Sequence, residues 1–252
     1  KEYKAMFERQ APKADQPKTM LPTDPKNIWM EGIGLIGLGA NAKAASIAGD
    51  LVVQNARVRA IGEDAGGFRP ISEKDLFDCE YWSLEQAKLG KGAPPKFQGK
   101  VVMITGGSGT IGFAIAEAFS KLGAQTILVD KDEIALKESV TKLGVGHKYF
   151  PIDVTHSDAA NQALLAAINN FGGLDILISN AGAAHAGPML DISNEELRNA
   201  FELNFFSHYS FSTEAAKILK DQNRGGQILF NISKQAVNPG KNFGAYGLPK
   251  AT

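Results

Sequence analysis

Residues 101–112, VVMITGGSGTIG, join a short apolar run to a cluster of glycines, and helical spacing follows them. Gly106, Gly109 and Gly112 lack side chains where a backbone would have to approach phosphates, and the start of a helix supplies unpaired N–H groups and a positive dipole. The next apolar run, QTILVD at 125–130, ends with Asp130, which can accept hydrogen bonds from ribose hydroxyls. Strand, loop, helix and acid together predict a dinucleotide site.

Apolar runs and amphipathic helices alternate strictly beyond residue 100. The predicted strands are VVMIT (101–105), QTILVD (125–130), KYFPID (148–153), LDILISN (174–180) and QILFNIS (227–233). Strands that are almost continuously Val, Ile and Leu indicate a parallel sheet covered on both faces. We therefore predict an α/β fold with a Rossmann-like, doubly wound parallel sheet. The segment 193–220 is expected to be one long helix, opened by Ser193 and Glu196 as a capping box.

The first hundred residues are organised differently. ANAKAASIAGDLVVQNARVRAIGED at 40–64 has the apolar spacing of one long helix, and SEKD at 72–75 predicts the start of a shorter helix that runs toward Leu89. GKGAPPKFQGK, which follows, is typical of an interdomain linker. We predict a small α+β segment with its linker over residues 1–95, and the nucleotide-binding domain over residues 96–252.

A second glycine cluster, GIGLIG at 32–37, matches G-x-G-x-x-G literally. Its surroundings do not fit a phosphate loop, because the preceding apolar run is short and no second strand with a terminal acid follows the long helix. We interpret these glycines as allowing a turn, or close packing between a strand and a helix.

Composition excludes several classes of protein. The 27 basic and 27 acidic residues cancel, which argues against binding to nucleic acid or to a membrane surface. A single cysteine, Cys79, excludes an internal disulfide framework and fits a reducing compartment. No apolar run reaches the roughly 18 residues of a membrane span. A cytoplasmic location is expected.

The chain starts without Met and stops just after a helix-opening motif, so we expect a fragment whose second domain is incomplete at its C-terminus.

Five motifs appear in order: TGGSGTIG, DV at 153–154, NAG at 180–182, Asn204 within the long predicted helix, and YGLPK at 246–250. Through them, residues 97–252 resemble the short-chain dehydrogenase/reductase family. The resemblance implies an oxidoreductase that transfers a hydride between a nicotinamide cofactor and a small alcohol or carbonyl compound. NAD is expected rather than NADP, because Asp130 would repel a 2′-phosphate, although Lys131 beside it weakens that preference.

The resemblance also implies catalytic roles. Tyr246 would act as acid and base, Lys250 would supply positive charge and hold the nicotinamide ribose, and Asn204 would hold a water that leads to bulk solvent. The residue that orients the substrate is ambiguous. Counting 13 residues back from Tyr246 gives Ser233, whereas alignment on NIS gives Lys234; we expect Ser233, because catalysis depends on distance to the tyrosine.

The cofactor-binding residues implied by the resemblance lie in the same motifs. They are Gly106, Ser108, Gly109, Thr110, Ile111, Gly112, Asp130, Lys131, Asp153, Val154, Asn180, Ala181, Gly182, Tyr246 and Lys250. Asp153 would meet the adenine. Pro249 is taken to mark the start of the last helix, since proline is tolerated in a first turn. No metal site is expected, because the four histidines lack metal-ligand spacing.

FDCEYWSLEQAKL at 77–89, with the GIGLIG region before it, resembles the end of the class II aldolase part of bifunctional rhamnulose-1-phosphate aldolase/dehydrogenase proteins. The metal-binding histidines of such an aldolase would lie upstream of Lys1, so no aldolase chemistry is expected. The dehydrogenase substrate would then be a hydroxyaldehyde, sugar or polyol.

Two alternatives stay open. The TGxxGxxG spacing is similar to that of nucleotide-sugar epimerases, which makes an epimerase the first alternative. The second is a non-catalytic NAD-binding module, because the position of the serine is uncertain and Pro249 lies between Tyr246 and Lys250. Members of the family continue with two more strands, so we expect this chain to bind NAD weakly and to be inactive. An exposed helix and sheet edge favour association into a homo-oligomer.

Overall fold

The computed structural model describes residues 1–83 and 93–252. The chain divides into two compact units, Lys1–Pro94 and Pro95–Thr252. The elements of the first unit are helix α1 (Glu2–Gln10), a 3-10 turn (Ala11–Lys13), strands β1 (Asn27–Met30) and β2 (Gly34–Gly37), and helices α2 (Ala42–Asp64) and α3 (Glu73–Glu80).

Helix α3 begins where the sequence predicts. The Ser72 side chain accepts a hydrogen bond from the backbone N–H of Asp75 at 3.1 Å. Phe77 and Tyr81 are buried, and their rings stack at 4.6 Å with Met6 of α1 in the same cluster. α3 ends at Glu80 and the next two residues are not helical, so the prediction of one continuous helix toward Leu89 is wrong at this point; residues 84–89 lie outside the described residues.

GIGLIG forms most of an antiparallel hairpin. β1 pairs with β2, which consists of the last four residues of the cluster. Gly32 and Gly34 adopt φ of +76° and +118° at the turn. A Cβ on Gly37 would lie 2.3 Å from the carbonyl oxygen of Ala45 and 2.6 Å from the nitrogen of Gly49, both in α2. The predicted turn and close packing of strand on helix are therefore confirmed.

The second unit contains a five-stranded sheet and the helices that cover it. Its strands are β3 (Val101–Thr105), β4 (Gln125–Asp130), β5 (Lys148–Pro151), β6 (Ile176–Ser179) and β7 (Gln227–Phe230). Its helices are α4 (Thr110–Lys121), α5 (Glu133–Leu143), α6 (Ala159–Phe171), α7 (Asn194–Phe201), a π-helical segment (Glu202–Phe206), α8 (Ser207–Gln222), a 3-10 turn (Lys234–Ala236) and α9 (Gly244–Ala251).

The sheet has the order β5-β4-β3-β6-β7, and every pair of neighbours is parallel. The chain moves outward from β3 to β5 on one side, then returns to place β6 and β7 on the other side. This reversal between β3 and β6 opens a crevice at the carboxyl ends of the strands, where open α/β sheets bind ligands. The predicted doubly wound fold is confirmed.

Both faces of the sheet are apolar because both are covered. Val101 and Met103 of β3 belong to the core shared with α6 and α8, and Val102 and Ile104 belong to the core shared with α4 and α5. All four side chains are at most 4% exposed. Burial on alternate sides explains why the strand sequence is continuously apolar rather than alternating.

The long helix predicted over 193–220 contains an interruption. The capping box of Ser193 and Glu196 is present at its start, as predicted. After Phe201 the helix widens into the π-helical segment, and α8 then continues to Gln222. Asn204 lies inside that segment and is 3% exposed. Such widened turns occur frequently at functional sites.

Pro249 does not mark the start of the last helix, so that prediction is wrong. α9 begins at Gly244, and Pro249 lies within it. A proline there cannot donate the backbone hydrogen bond that the carbonyl of Ala245 would otherwise accept. The helix forms nevertheless because its inner face, including Ala245, Gly247 and Pro249, is buried.

The hairpin glycine offers a matched test of packing. Gly37→Ala should destabilise the protein by about 1–3 kcal/mol, because the new Cβ has no space against α2. Gly49→Ala, which adds a Cβ with no atom within 4 Å, should stabilise by about 0.5–1 kcal/mol through helix propensity. Urea denaturation followed by circular dichroism measures both, and equal stability of the two variants would contradict the packing.

Candidate active site

The glycine loop is shaped by close backbone contacts. Gly106 has φ of +64°, and a Cβ on it would lie 3.0 Å from the Cα of Ala181. A Cβ on Gly112 would lie only 2.1 Å from the carbonyl oxygen of Gly106. The turn therefore folds back on the first turn of α4 and can do so only with glycine at these positions.

Helix α4 begins without a side chain to cap it. Its N-cap is Gly109, and the first helical residues are Thr110, Ile111 and Gly112. The first N–H groups of any helix lack partners within the helix, and here they line a cleft. This end of α4 is therefore a set of donors for a phosphate or another anion.

Asp130 fixes the loop from the end of β4. Its Oδ2 accepts a hydrogen bond from the N–H of Ser108 at 3.3 Å, and its Oδ1 accepts one from the N–H of Lys131 at 2.8 Å. The carboxylate thus joins the loop to its own strand and still lines the cleft. A ribose placed over the loop would meet this negative charge.

The cleft lies at the carboxyl ends of β3, β4, β6 and β7, and its volume is about 1010 Å³. The predicted site residues that line it are Gly106, Gly109, Thr110, Ile111, Gly112, Asp130, Lys131, Asp153, Val154, Asn180, Ala181, Gly182, Ser233, Tyr246 and Lys250. Two predicted residues, Ser108 and Asn204, are not among the lining residues. Lys234 is also outside the lining, whereas Ser233 is within it.

The sequence motifs missed part of the cleft wall. The additional lining residues are Ile152, Thr155, Ala183, Asn199, Glu202, Leu203, Asn231 and Ile232. Several lie directly beside a recognised motif, so proximity was an available signal for them. Asn199 lies in the last turn of α7 and Glu202 begins the π-helical segment, and no sequence motif marks either residue.

Asp153 is held in its ionised form. Its Oδ1 accepts hydrogen bonds from the N–H of Thr155 at 3.0 Å and from the Thr155 hydroxyl at 2.7 Å. These bonds, the backbone one above all, lower the pKa of Asp153. The carboxylate therefore faces the cleft as an acceptor.

A hydrogen-bond network joins three strand ends. The hydroxyl of Thr105 accepts bonds from the N–H groups of Asn180 at 2.9 Å and Ala181 at 3.0 Å. The Asn180 amide donates to the carbonyl oxygen of Thr105 at 2.9 Å and accepts from the Asn231 amide at 2.8 Å. Asn180 thus fixes the cleft wall through β3, β6 and the segment after β7.

Tyr246 and Lys250 face the cleft from one side of α9. The Lys250 ammonium lies 6.0 Å from the centre of the Tyr246 ring and donates a hydrogen bond to the carbonyl oxygen of Asn231 at 3.2 Å. Burial lowers the pKa of Lys250. Ser233 precedes the 3-10 turn that packs against α9, and it caps that turn by accepting from the N–H of Gln235 at 3.2 Å.

Asn204 supports the wall from behind. Its Oδ1 accepts from the N–H of Ala183, and its Nδ2 donates to the carbonyl oxygens of Ala183 and Ala200. A Cβ on Gly182 would lie 2.8 Å from Asn204 Oδ1 and 3.2 Å from Lys250 Nζ. The absence of a side chain at Gly182 lets the lysine and the asparagine approach the same point.

His208 is a residue of the site that the sequence did not single out. It is 7% exposed, and its Nε2 lies 2.8 Å from the carbonyl oxygen of Ala181 and 3.3 Å from Lys250 Nζ. Its Nδ1 lies 2.8 Å from the hydroxyl of Ser179. Burial and the neighbouring ammonium lower the pKa of His208 to about 4.

Two properties of the described part of the chain concern metal sites and membrane spans. No group of three or more His, Cys, Asp or Glu side chains there could hold a metal ion. Within the same residues, no helix combines the length and the apolar character that crossing a membrane requires.

Comparison with known proteins identifies two families. The model for short chain dehydrogenase matches residues 100–252, and the model for the second domain of class II aldolase matches residues 1–89. Both resemblances noted in the sequence are confirmed at the level of the family.

Individual relatives cover different parts of the chain. An uncharacterized oxidoreductase of Bacillus subtilis (strain 168) is 32% identical over 257 residues, with 99% of this chain and 37% of that protein covered. Galactitol 2-dehydrogenase of Agrobacterium fabrum is 30% identical over 146 residues, with 58% and 57% covered. The chain thus spans 37% and 57% of the lengths of these relatives.

A solved structure is similar to the second unit. It is 3-ketoacyl-(acyl-carrier-protein) reductase from Brucella melitensis complexed with NADH, which is 27% identical with a TM-score of 0.59. The match covers 61% of this chain and 65% of that one.

Buried histidines should make the free energy of unfolding depend on pH. Burial lowers the pKa of His147 and His208 in the folded protein, whereas the unfolded chain takes up protons near pH 6.5. Both contributions are complete above pH 6.5 and decline as the pH falls below it, and that of His208 is lost as the pH approaches 4. At about 1.4 kcal/mol per pKa unit, His208 accounts for at most about 2 kcal/mol between pH 7 and 5.

Urea denaturation at pH 7 and pH 5 measures this difference. His208→Gln and His147→Gln should each reduce it, and the double variant should reduce it most. A difference as large in the double variant as in the wild type would contradict the assignment.

Proposed function

The chain belongs to the short-chain dehydrogenase family, and from that premise we propose that it is the cofactor-binding and catalytic part of an NAD-dependent oxidoreductase. The substrate would be a small hydroxylated or carbonyl compound: a polyol, a sugar or a hydroxyaldehyde. One observation carries the proposal. Tyr246, Lys250 and Ser233 line the same cleft as the glycine loop, although they are more than 120 residues away from it.

The residues present fit a nicotinamide dinucleotide. Gly106 and Gly112 let the loop pack tightly against Ala181 and against its own backbone, and the uncapped start of α4 offers N–H donors to a pyrophosphate. Asp130 would accept from the adenosine ribose, Asp153 would meet the adenine, and Lys250 would hold the second ribose. When bound, such a cofactor accepts or returns a hydride.

The chain's own groups would handle the proton. In the direction of oxidation, Tyr246 takes the proton of the substrate hydroxyl, and in the direction of reduction it returns that proton to the carbonyl oxygen. The Lys250 ammonium, 6.0 Å from the ring centre, stabilises the phenolate by its positive charge. Ser233 orients the substrate by a hydrogen bond to the reacting oxygen.

Asn204 supports this arrangement indirectly. Its amide accepts from the N–H of Ala183 and donates to the carbonyl oxygen of the same residue, which holds the neighbouring Gly182 close to the ammonium. Its role in holding a water toward bulk solvent remains part of the proposal.

The preference for NAD rests on charge. The Asp130 carboxylate lines the cleft at the carboxyl end of β4, where it would repel a 2′-phosphate. Lys131 lines the cleft as well and offsets part of that repulsion. The structure of a relative in complex with NADH supports the choice.

Two comparisons support the substrate class. One curated relative is named for its action on galactitol, a polyol. The aldolase match over residues 1–89 favours a substrate with adjacent hydroxyl and carbonyl groups. We also propose a cytoplasmic homo-oligomer with no nucleic-acid or membrane partner. The exposed aromatic side chains of Phe206, in the π-helical segment, and Tyr209, in α8, favour association.

Tyr246→Phe in the natural gene product should lower kcat by about 100-fold or more, because it removes the proton carrier and keeps the ring. Binding of NADH, followed by fluorescence titration, should change little. Tyr209→Phe is the control, since that side chain is 61% exposed and outside the cleft. Formation of NADH is measured across small polyols, sugars and hydroxyaldehydes, and unchanged turnover in Tyr246→Phe would favour a non-catalytic module.

Asp130→Ser should shift the ratio of the NADPH and NADH dissociation constants by about tenfold toward NADPH, which corresponds to about 1.4 kcal/mol. The reason is the loss of the carboxylate that meets the ribose and repels a 2′-phosphate. Glu133→Gln removes a nearby exposed carboxylate that is absent from the cleft lining, and it serves as the control. An unchanged ratio in Asp130→Ser would overturn the assignment.

A further inference from the structure

The Lys250 ammonium has a histidine behind it. Lys250 Nζ lies 3.3 Å from His208 Nε2, and on another side it donates to the carbonyl oxygen of Asn231 at 3.2 Å. His208 comes from α8, 42 residues before Lys250 in the chain. This contact is part of the site geometry, and none of the roles proposed above uses it.

The hydrogen-bond partners of His208 fix which nitrogen carries its proton. A carbonyl oxygen only accepts, so the 2.8 Å contact between Nε2 and the oxygen of Ala181 requires a hydrogen on Nε2. Nδ1 then accepts from the Ser179 hydroxyl at 2.8 Å. Both ring nitrogens are engaged, so Nε2 has no lone pair to offer to Lys250.

The surroundings keep the ring neutral. Strand β6 contributes the Ser179 hydroxyl, the following loop contributes the carbonyl of Ala181, and β7 contributes the Phe230 ring, centred 6.2 Å from the imidazole. Among these described contacts, Lys250 from α9 is the charged group, and a second positive charge beside it is unfavourable.

We infer that His208 is a positioning residue for Lys250. It is a neutral ring whose Nε2–H donates to the carbonyl oxygen of Ala181. The ring contacts the side of the ammonium that faces away from the cleft, and it uses the carbonyl oxygen to which Lys250 could otherwise donate. The lysine N–H groups are then directed to Asn231 and into the cleft. This inference rests on the proposed function, in which Lys250 serves Tyr246 and the cofactor.

The tautomer can be observed without any enzyme activity. Long-range ¹H–¹⁵N correlation spectra of the protein labelled at histidine should show His208 as neutral, with the proton on Nε2, from pH 7 down to pH 5. Lys250→Met should raise the pH at which His208 becomes protonated, because the neighbouring charge is lost. A proton on Nδ1, or a cationic ring at pH 7, would overturn the inference.

The effect on catalysis separates positioning from packing. His208→Ala frees the Ala181 carbonyl, so Lys250 can withdraw from the cleft; kcat should fall about tenfold or more, and the KM for the cofactor should rise. His208→Gln can still donate to Ala181 and should restore kcat to within about threefold of the wild type. Equal losses in the two variants would indicate packing alone and would overturn the inference.

If His208→Ala fails to fold, Ser179→Ala provides the same test. Without the Ser179 hydroxyl the Nε2–H tautomer loses a partner, so the spectra should show a mixture of tautomers and kcat should fall. A mixture of tautomers with wild-type kcat would overturn the inference. The result for Tyr246→Phe distinguishes the two proposals: unchanged turnover there contradicts the proposed function, while the tautomer measurement still decides the placement of His208.

Discussion

The hydrogen bonds between Thr105 and Asn180 are the interaction on which the rest of the site depends. They join the carboxyl ends of β3 and β6, the two strands between which the chain reverses its direction across the sheet. From Asn180 the network continues to Asn231, whose carbonyl oxygen accepts from Lys250. The glycine loop and the lysine are therefore parts of one connected structure.

The two ends of the cleft carry charges of opposite sign. Asp130 and Asp153 place carboxylates over the ends of β4 and β5, where a sugar or a base can donate to them. Lys250, partly buried and 6.0 Å from the centre of the Tyr246 ring, places a positive charge at the other end. Between them, the start of α4 supplies neutral donors with a positive dipole. This order of charges matches a ligand with hydroxyls at one end and a reacting oxygen at the other.

The two glycine clusters show why a motif needs its structural context. In GIGLIG, the last glycine allows a strand to lie directly against α2, and the earlier ones turn a hairpin. In TGGSGTIG, the glycines fold the loop against the end of β6 and leave the start of a helix open to a cleft. The chemistry of glycine is the same in both, but only a parallel strand followed by a helix leaves donors for a phosphate.

The sequence by itself determined the five strands of the parallel sheet, the doubly wound fold, the glycine loop and Asp130, because these depend on local periodicity and on short motifs. It also identified Tyr246, Lys250 and Ser233, which all line the cleft. Only the tertiary structure decided the π-helical turn at Asn204, the helix that forms around Pro249, and the contact of His208 with Lys250. Those features depend on burial and on contacts between residues far apart in the chain, and no local pattern encodes them.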